Sequence, residues 1–493
     1  MSLIKQFAGQ AVVYGLGSIL AKVVYYLLAV VVVTHVLGPE VAQFGTYGFF
    51  YAYAAVLITL FSFRFDTALF RFGNKKENFS RAFDTALTPV IFSALLLVVL
   101  GTCFAQPIAN WLRYPDSPHY VRWFAFILGF DVLNLVPFAK LRLTNQAKAF
   151  ALYKIFNAFF AAFLIVFFLI ILPKFQDGFL SFIPVRSAII DWVFIANLIA
   201  SSVLFLTMLP VWKGYSFRVD RALLRKMVYY ILPLVLVGMA NGVIQLFGVP
   251  LQERFLGGEH LENLREAGVY EFARKIAGLF VMFTTAFNYA AEPFFFNNSS
   301  EEDRTKVYGK ICRLFVLVGG LIVIVMYMGI DLYKIMGPSS FWDDLQLLPI
   351  LLMAYLFLGI YYNVSIWYKL SDNTWYGALL SLIGMLITLV ISILFLEQIG
   401  PAASAWATLA SYFIMVVVGY LLGQAKYPIP YPVRKIGVDL CIITTVLFLT
   451  YLMRQQLGPA VQYLLSTVLV VAYTWYAWQS EKEEWRVIMG RKG

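Results

Sequence analysis

Polar and apolar positions segregate into long blocks along the chain. Runs of about 18 or more mostly apolar residues, each long enough to cross a ~30 Å hydrocarbon core as a helix, alternate with short charged or proline-bearing stretches. Fourteen such runs are expected, centred near residues 22, 53, 95, 131, 162, 198, 239, 281, 319, 356, 386, 412, 445 and 469. The runs near 131, 281 and 356 are the weakest of the set. The first is too long for the apolar core of a cleavable signal and lacks a small-residue cleavage pattern, so it reads as a retained span. The pattern predicts an all-α polytopic membrane protein with about 14 transmembrane helices.

Composition agrees with that reading: 61% of residues are hydrophobic, 13% are charged and mean hydropathy is +0.77. A net charge of +11 would suggest nucleic acid as the partner of a soluble protein, but here its distribution matters more. If the chain starts inside, the inside segments hold 26 Lys and Arg residues against 8 in the outside loops. This is the positive-inside asymmetry, and it places both termini in the cytoplasm. No nucleic-acid partner is needed to explain the charge. Cys103, Cys312 and Cys441 lie in apolar runs and His35, His119 and His260 are scattered singly, so neither a disulfide framework nor a metal site is expected. No phosphate-binding or dinucleotide-binding glycine motif is present. No catalytic residues and no cofactors are therefore expected. A membrane polymerase or ligase would favour a large outside loop, and none is long enough to make a soluble domain.

The second half repeats the first. Leu37-Gly38 followed by Gly45-Thr46-Tyr47 recurs as Leu256-Gly257 followed by Gly268-Val269-Tyr270, and Arg142-Leu143-Thr144-Asn145 recurs as Lys369-Leu370-Ser371-Asp372. The offset covers six helices, an even number, so the copies point the same way, as in parallel-repeat transporters with a midplane site between halves. The division expected is 1–215 for the first lobe, 216–427 for the second, 428–479 for an appended helix pair and 480–493 for a charged cytoplasmic tail.

Charges inside the spans mark the candidate chemistry. Lys22 falls near the middle of the first span, where a cation is costly unless it faces a bundle interior or water. It either contacts a ligand in a central cavity or snorkels to a buried partner. Glu271, Arg274 and Lys275 share a helix face at i, i+3 and i+4; they either satisfy one another or present Arg274 as a bidentate phosphate donor, with Lys275 adding charge and Glu271 holding the arginine. Asp131 with Asn134 one turn on is either a proton or sodium site or a hydrogen-bonded structural carboxyl. Arg64 and Arg71 flank Asp66 in a basic cytoplasmic loop, where they would meet an anionic head group or simply obey the positive-inside rule. Pro233, Gly238 and Gly242 either let the seventh span bend or serve its packing.

Several stretches, in order, carry a family resemblance: LGPEVAQFGTYGFF, RFDTALFR, KLRLTNQAKAFALYKI, GVYEFARKIAGLF with AEPFFF, and YYNVSIWYKLSDNTWYGALLSLIG with GPAASAWATLASY. Together they resemble the polysaccharide-transporter branch of the multidrug/oligosaccharidyl-lipid/polysaccharide exporter superfamily. They are similar to O-antigen flippases and, more distantly, to the lipid II flippase. The resemblance implies two six-helix lobes around a central cavity, alternating access, and an undecaprenyl-linked oligosaccharide as cargo in the bacterial inner membrane. It also implies that Lys22 and Arg274 stand where the lipid II flippase carries cavity arginines in its first and eighth helices. The match is incomplete, because that flippase's first-helix aspartate is replaced around Leu28-Ala29 and its second-helix arginine has no counterpart before Arg64. This favours another glycolipid: an O-antigen, capsule or exopolysaccharide precursor made for lipopolysaccharide or polysaccharide biosynthesis. Glu253-Arg254 resembles an acidic-arginine pair of the family and is expected at a gate or lobe contact. Expected partners are the lipid-linked oligosaccharide, the bilayer, and the polysaccharide polymerase and chain-length machinery. A drug or cation antiporter of the same fold is the alternative; it predicts an acidic cavity, whereas the interior charges here lean basic.

Overall fold

The structure is a computed structural model that describes residues 23, 30–74, 76–175, 188–296, 301–370 and 373–482. Among the described residues, 30–37 are helical and thirteen long helices follow. They are α1 (Val41–Ser62), α2 (Lys76–Cys103), α3 (Pro118–Leu143), α4 (Ala147–Val166), α5 (Ile189–Met208), α6 (Arg221–Leu246), α7 (His260–Phe296), α8 (Glu301–Met328), α9 (Leu348–Val364), α10 (Thr374–Ile399), α11 (Ala402–Lys426), α12 (Val433–Gln456) and α13 (Pro459–Ser480). Among the described residues, twelve helices are long and apolar enough to cross a membrane. They cover twelve of the fourteen expected centres. The centre near 22 lies outside the described residues. The centre near 281 falls in α7, a 37-residue helix whose first half carries Glu262, Arg265, Glu266, Glu271, Arg274 and Lys275. That charge load is why its hydropathy is weak although the helix is long.

The chain forms two compact units. The first comprises residues 1–272, 336–342 and 373–404. In it α2 lies on α3, α5 bridges α3 and α4, and α6 packs on both α1 and α10. This grouping follows compactness, whereas the division expected at 215/216 follows the sequence repeat. α6 continues unbroken through Pro233. Its Gly238 and Gly242 face Thr59 and Val56 of α1, where added Cβ atoms would lie 2.6 and 3.1 Å from those side chains. The glycines allow close packing of α6 on α1. α1 ends at two consecutive left-handed residues, Phe63 (φ 48°) and Arg64 (φ 58°). A short amphipathic helix, Phe65–Phe72, follows, with Phe65, Ala68 and Leu69 turned into an apolar core shared with Phe83, Leu87 and Val132.

Two glycines matched in the expected repeat share a backbone conformation. Gly38 (φ 55°) and Gly257 (φ 84°), at matching positions, both take the left-handed conformation that lets one helix stop and the next begin.

The second unit comprises residues 273–335, 343–372 and 405–493. Its α8 packs on α9, α12 and α13. The last two helices are clamped to α8 at both ends. Near one end Arg313, 4% exposed, donates from Nε to Asp439 (3.1 Å) and pairs with Glu481, while the Tyr476 hydroxyl donates to Asp439 (2.6 Å). At the other end Asp331 accepts both oxygens' worth of hydrogen bonds from Arg454 (2.9 Å each), pairs with Lys334 (2.7 Å) and accepts from the Tyr463 hydroxyl. Between them the Tyr473 hydroxyl donates to the Leu317 carbonyl (3.1 Å). Partial burial pushes the Asp331 carboxyl upward, but the Lys334, Tyr463 and Arg454 hydrogen bonds outweigh it and hold the group at about 2. Residues 483–493 of the expected tail lie outside the described residues.

Candidate functional site

The candidate groups of the first unit lie at three levels, taken along α1, while Arg274 and Lys275 belong to the second unit. At its N-terminal end, the short helix Gly248–Phe255 delivers Glu253, which is 2% exposed. Arg113 pairs with the Glu253 carboxylate (3.0 Å) and His260 Nδ1 lies 2.7 Å from it. The Glu253 carbonyl accepts from Asn263 (3.0 Å) and from Arg113 (3.3 Å). Beside this cluster the buried Tyr114 hydroxyl donates to Thr46 Oγ1 (3.1 Å), and burial keeps that phenol neutral by pushing its pKa well up. A buried carboxylate needs such partners to offset its desolvation. Arg254, the neighbour expected to share the task, is exposed. Arg113 and His260 were not singled out by the sequence, because Arg113 stands 140 positions from its partner and no spacing rule links them.

α1 and α7 cross next to this cluster. Gly45 and Gly268 bring the two backbones together, and Gly48 leaves room for the side chain of Glu271: a Cβ on Gly48 would lie 3.0 Å from Glu271 Cγ and Cδ. Glu271 is 1% exposed, and Arg274 and Lys275 further along α7 are half-buried. α7 is continuous through all three, so the expected i, i+3 and i+4 register holds. Lys22 lies outside the described residues.

At mid-depth, Asp131 of α3 accepts a hydrogen bond from Ser201 of α5 (2.9 Å). The Lys154 ammonium of α4 lies within Coulombic reach of Asp131 and sits 4.2 Å above the Phe138 ring. Asn134, 2% exposed, has no hydrogen-bond partner for either amide atom among the described residues. Ser201 and Lys154 are the neighbours that sequence reading did not supply.

At the C-terminal end of α1, Arg64 is half-buried in its left-handed backbone, and its Nε is buried without a partner among the described residues. A non-glycine residue held there stores about 1–3 kcal/mol of strain. Arg71, exposed at the end of the short helix, lays its guanidinium 4.4 Å over the Tyr230 ring. Asp66 is half-buried nearby in the same helix.

The architecture has solved counterparts. Superposition on the lipid II flippase MurJ, in an inward closed conformation, gives a TM-score of 0.70 at 14% identity, covering 95% of this chain and 99% of that one. The chain has the MurJ fold. An inward-facing multidrug resistance MATE family transporter of the MOP superfamily matches with a TM-score of 0.59 at 14% identity, covering 84% of this chain and 97% of that one. The outward-facing form matches with 0.52 at 14% identity, over 84% and 94%. No protein-family model and no curated protein sequence matches the chain. The superfamily expected from the sequence motifs is the one whose fold the chain has.

Proposed function

We propose that the protein is a flippase for a lipid-linked oligosaccharide. Its cargo is an undecaprenyl-linked precursor of O-antigen, capsule or exopolysaccharide, moved across the bacterial inner membrane by alternating access, with both termini cytoplasmic. The observation that carries this reading is the extent of the fold similarity, 95% of the chain with MurJ against 84% with the MATE transporter. A set of candidate cations supports it. The half-buried Arg64, Arg274 and Lys275, the exposed Arg71 and the Lys22 expected in the first span are each of a chemistry that suits a pyrophosphate. Asp131 and Asn134 are the candidate place for a coupling ion, and Glu253 with Arg113 is the gate.

Such a carrier answers a physical need. A disaccharide with about six hydroxyls, at ~4 kcal/mol or more each for transfer into hydrocarbon, faces a barrier above ~20 kcal/mol. A polar, cationic path removes most of that barrier while the lipid tail stays in the bilayer. No enzymatic step is required. The test is flipping of a lipid-linked oligosaccharide in proteoliposomes, read as its accessibility to a membrane-impermeant glycosidase. The MATE likeness keeps a drug or cation antiporter as the second reading. Uptake of an organic cation driven by a proton or sodium gradient, with no glycolipid flipping, would decide for it.

A further inference from the structure

The segment that joins α5 to α6, residues 213–220, is fastened from within. The Ser216 hydroxyl donates to Asp84 (2.6 Å) and its amide to the other Asp84 oxygen (3.2 Å). The Asp220 amide donates to Thr85 (3.2 Å), the Asp220 carboxylate caps α6 by accepting from Leu223 N (3.0 Å), and Arg81 pairs with Asp220. Tyr215 and Thr88 hydroxyls share a hydrogen bond (2.8 Å), and Lys140 donates to the Lys213 carbonyl (2.8 Å). The fastening uses the segment's carboxylate, Asp220, whose side chain is 12% exposed, and Asp84 of α2, which is 3% exposed.

What the segment shows outward is of one sign. Lys213, Arg218, Arg221, Arg225 and Lys226 are all exposed, and none makes an ion pair among the described residues. In their midst Phe217 is held in a left-handed backbone (φ 48°) and is 64% exposed. A large apolar ring kept out of a packed core at a strained backbone position, in a stretch of chain rich in exposed cations, has the chemistry of an interfacial anchor. The ring enters the headgroup layer and the cations meet phosphates. The pinned backbone means little ordering entropy is lost on binding.

We propose that residues 213–226 form a docking surface for the headgroups of anionic phospholipids, with Phe217 as the inserted residue and Arg218, Arg221 and Arg225 as the phosphate contacts. This goes beyond the flippase reading and does not depend on which cargo is carried.

The test uses the full-length protein in detergent, titrated with phosphatidylglycerol, phosphatidylcholine or inorganic phosphate. Retained lipid is counted by native mass spectrometry. Wild type should keep phosphatidylglycerol in preference to phosphatidylcholine, and the preference should fade with added salt. Arg218→Gln, Arg221→Gln and Arg225→Gln combined should weaken retention by roughly fivefold per cation removed. Phe217→Ser alone should weaken retention of both lipids. Arg122→Gln with Arg265→Gln, exposed cations away from the segment, should leave retention unchanged. Folding of each variant is checked by its thermal transition without added lipid. Equal retention of the two lipids, an equal loss in the control pair, an intact preference in the triple variant, or displacement by millimolar inorganic phosphate would each overturn the proposal. The last outcome would make the surface a free-anion site.

Discussion

Gly45 of α1 and Gly268 of α7, which correspond under the internal repeat, meet backbone to backbone. A methyl on Gly268 would sit 3.0 Å from the Gly45 amide nitrogen, and one on Gly45 would sit 3.3 Å from the Gly268 amide nitrogen. No side chain fits between them. Gly45→Ala and Gly268→Ala should each destabilise the protein by about 1–3 kcal/mol through overpacking. Gly458→Ala, where nothing lies within 4 Å of the added carbon, should change little. Thermal unfolding in detergent checks all three. Equal behaviour would mean the crossing relaxes without cost.

The Arg113 and Glu253 pair should behave as a coupled unit. Hydrogen bonds to a buried charge are worth about 1.5–3 kcal/mol, and removing Arg113 leaves the Glu253 carboxylate with its other partners only. Arg113→Ala and Glu253→Gln should therefore be less than additive in a double-mutant cycle. Arg254→Ala, at an exposed position, should cost less than Arg113→Ala. If Arg254 proves the costlier of the two, the expected acidic-arginine neighbours act together after all.

Arg274 separates a phosphate donor from a charge balance. An ammonium keeps the charge and loses the planar fork, so Arg274→Lys should lower polysaccharide export strongly, as should Lys22→Ala, while the protein still reaches the membrane. Full export in Arg274→Lys together with loss in Glu271→Gln would identify the cluster as self-paired.

Asp131 already accepts from Ser201 and lies near Lys154, which suits a structural carboxyl. The driving force is then expected to be the membrane potential acting on the cargo. At ~2.3 kcal/mol per charge per 100 mV, a lipid carrying about two negative charges gains roughly 4–5 kcal/mol on leaving a negative interior. Flipping in proteoliposomes should follow an imposed potential without any ion gradient, and Asp131→Asn should keep most activity. Flipping that ignores the potential and collapses in Asp131→Asn would make Asp131 with Asn134 a coupling-ion site.

Asp331 gives a pH signature. Its folded carboxyl, at about 2, lies below the ordinary value of 3.8. The stability it contributes is present in full above pH about 4 and is lost as pH falls toward about 2. The gap in unfolding temperature between wild type and Asp331→Asn should be constant from neutral pH to about 4 and close below it. A gap that persists at pH 2 would show that Asp331 acts without its charge.

How much of this was legible in the sequence depends on the range of the interaction. The twelve apolar helices follow from composition within windows the length of a bilayer. Of the three weakest runs, the one in α7 stays below a span's hydropathy because its charges occupy half of a helix whose neighbours hide Glu271. The glycines of the repeat were visible as a pattern, since copies share local backbone needs such as the left-handed turns at Gly38 and Gly257. That Gly45 touches Gly268 was not visible, because a pattern of equivalence says nothing of contact. The same limit applies at Glu253. The sequence marked it as a candidate through its neighbour Arg254, whereas the geometry assigns Arg113 and His260, which the tertiary fold brings within 3.0 Å. Asp131 was read correctly as mid-span, but its surroundings come from two other helices.

The clamps at the two ends of α8 bear on modularity. A twelve-helix ancestor, or a truncation after residue 427, would leave Arg313 on α8 and Asp331 just beyond its end without Asp439, Glu481, Arg454 and Tyr463. An arginine 4% exposed in an apolar helix would then face lipid alone, at a cost of about 2.5 kcal/mol or more. Loss of the last two helices must therefore be accompanied by replacement of Arg313, so a shortened natural homologue should carry an apolar residue at that position.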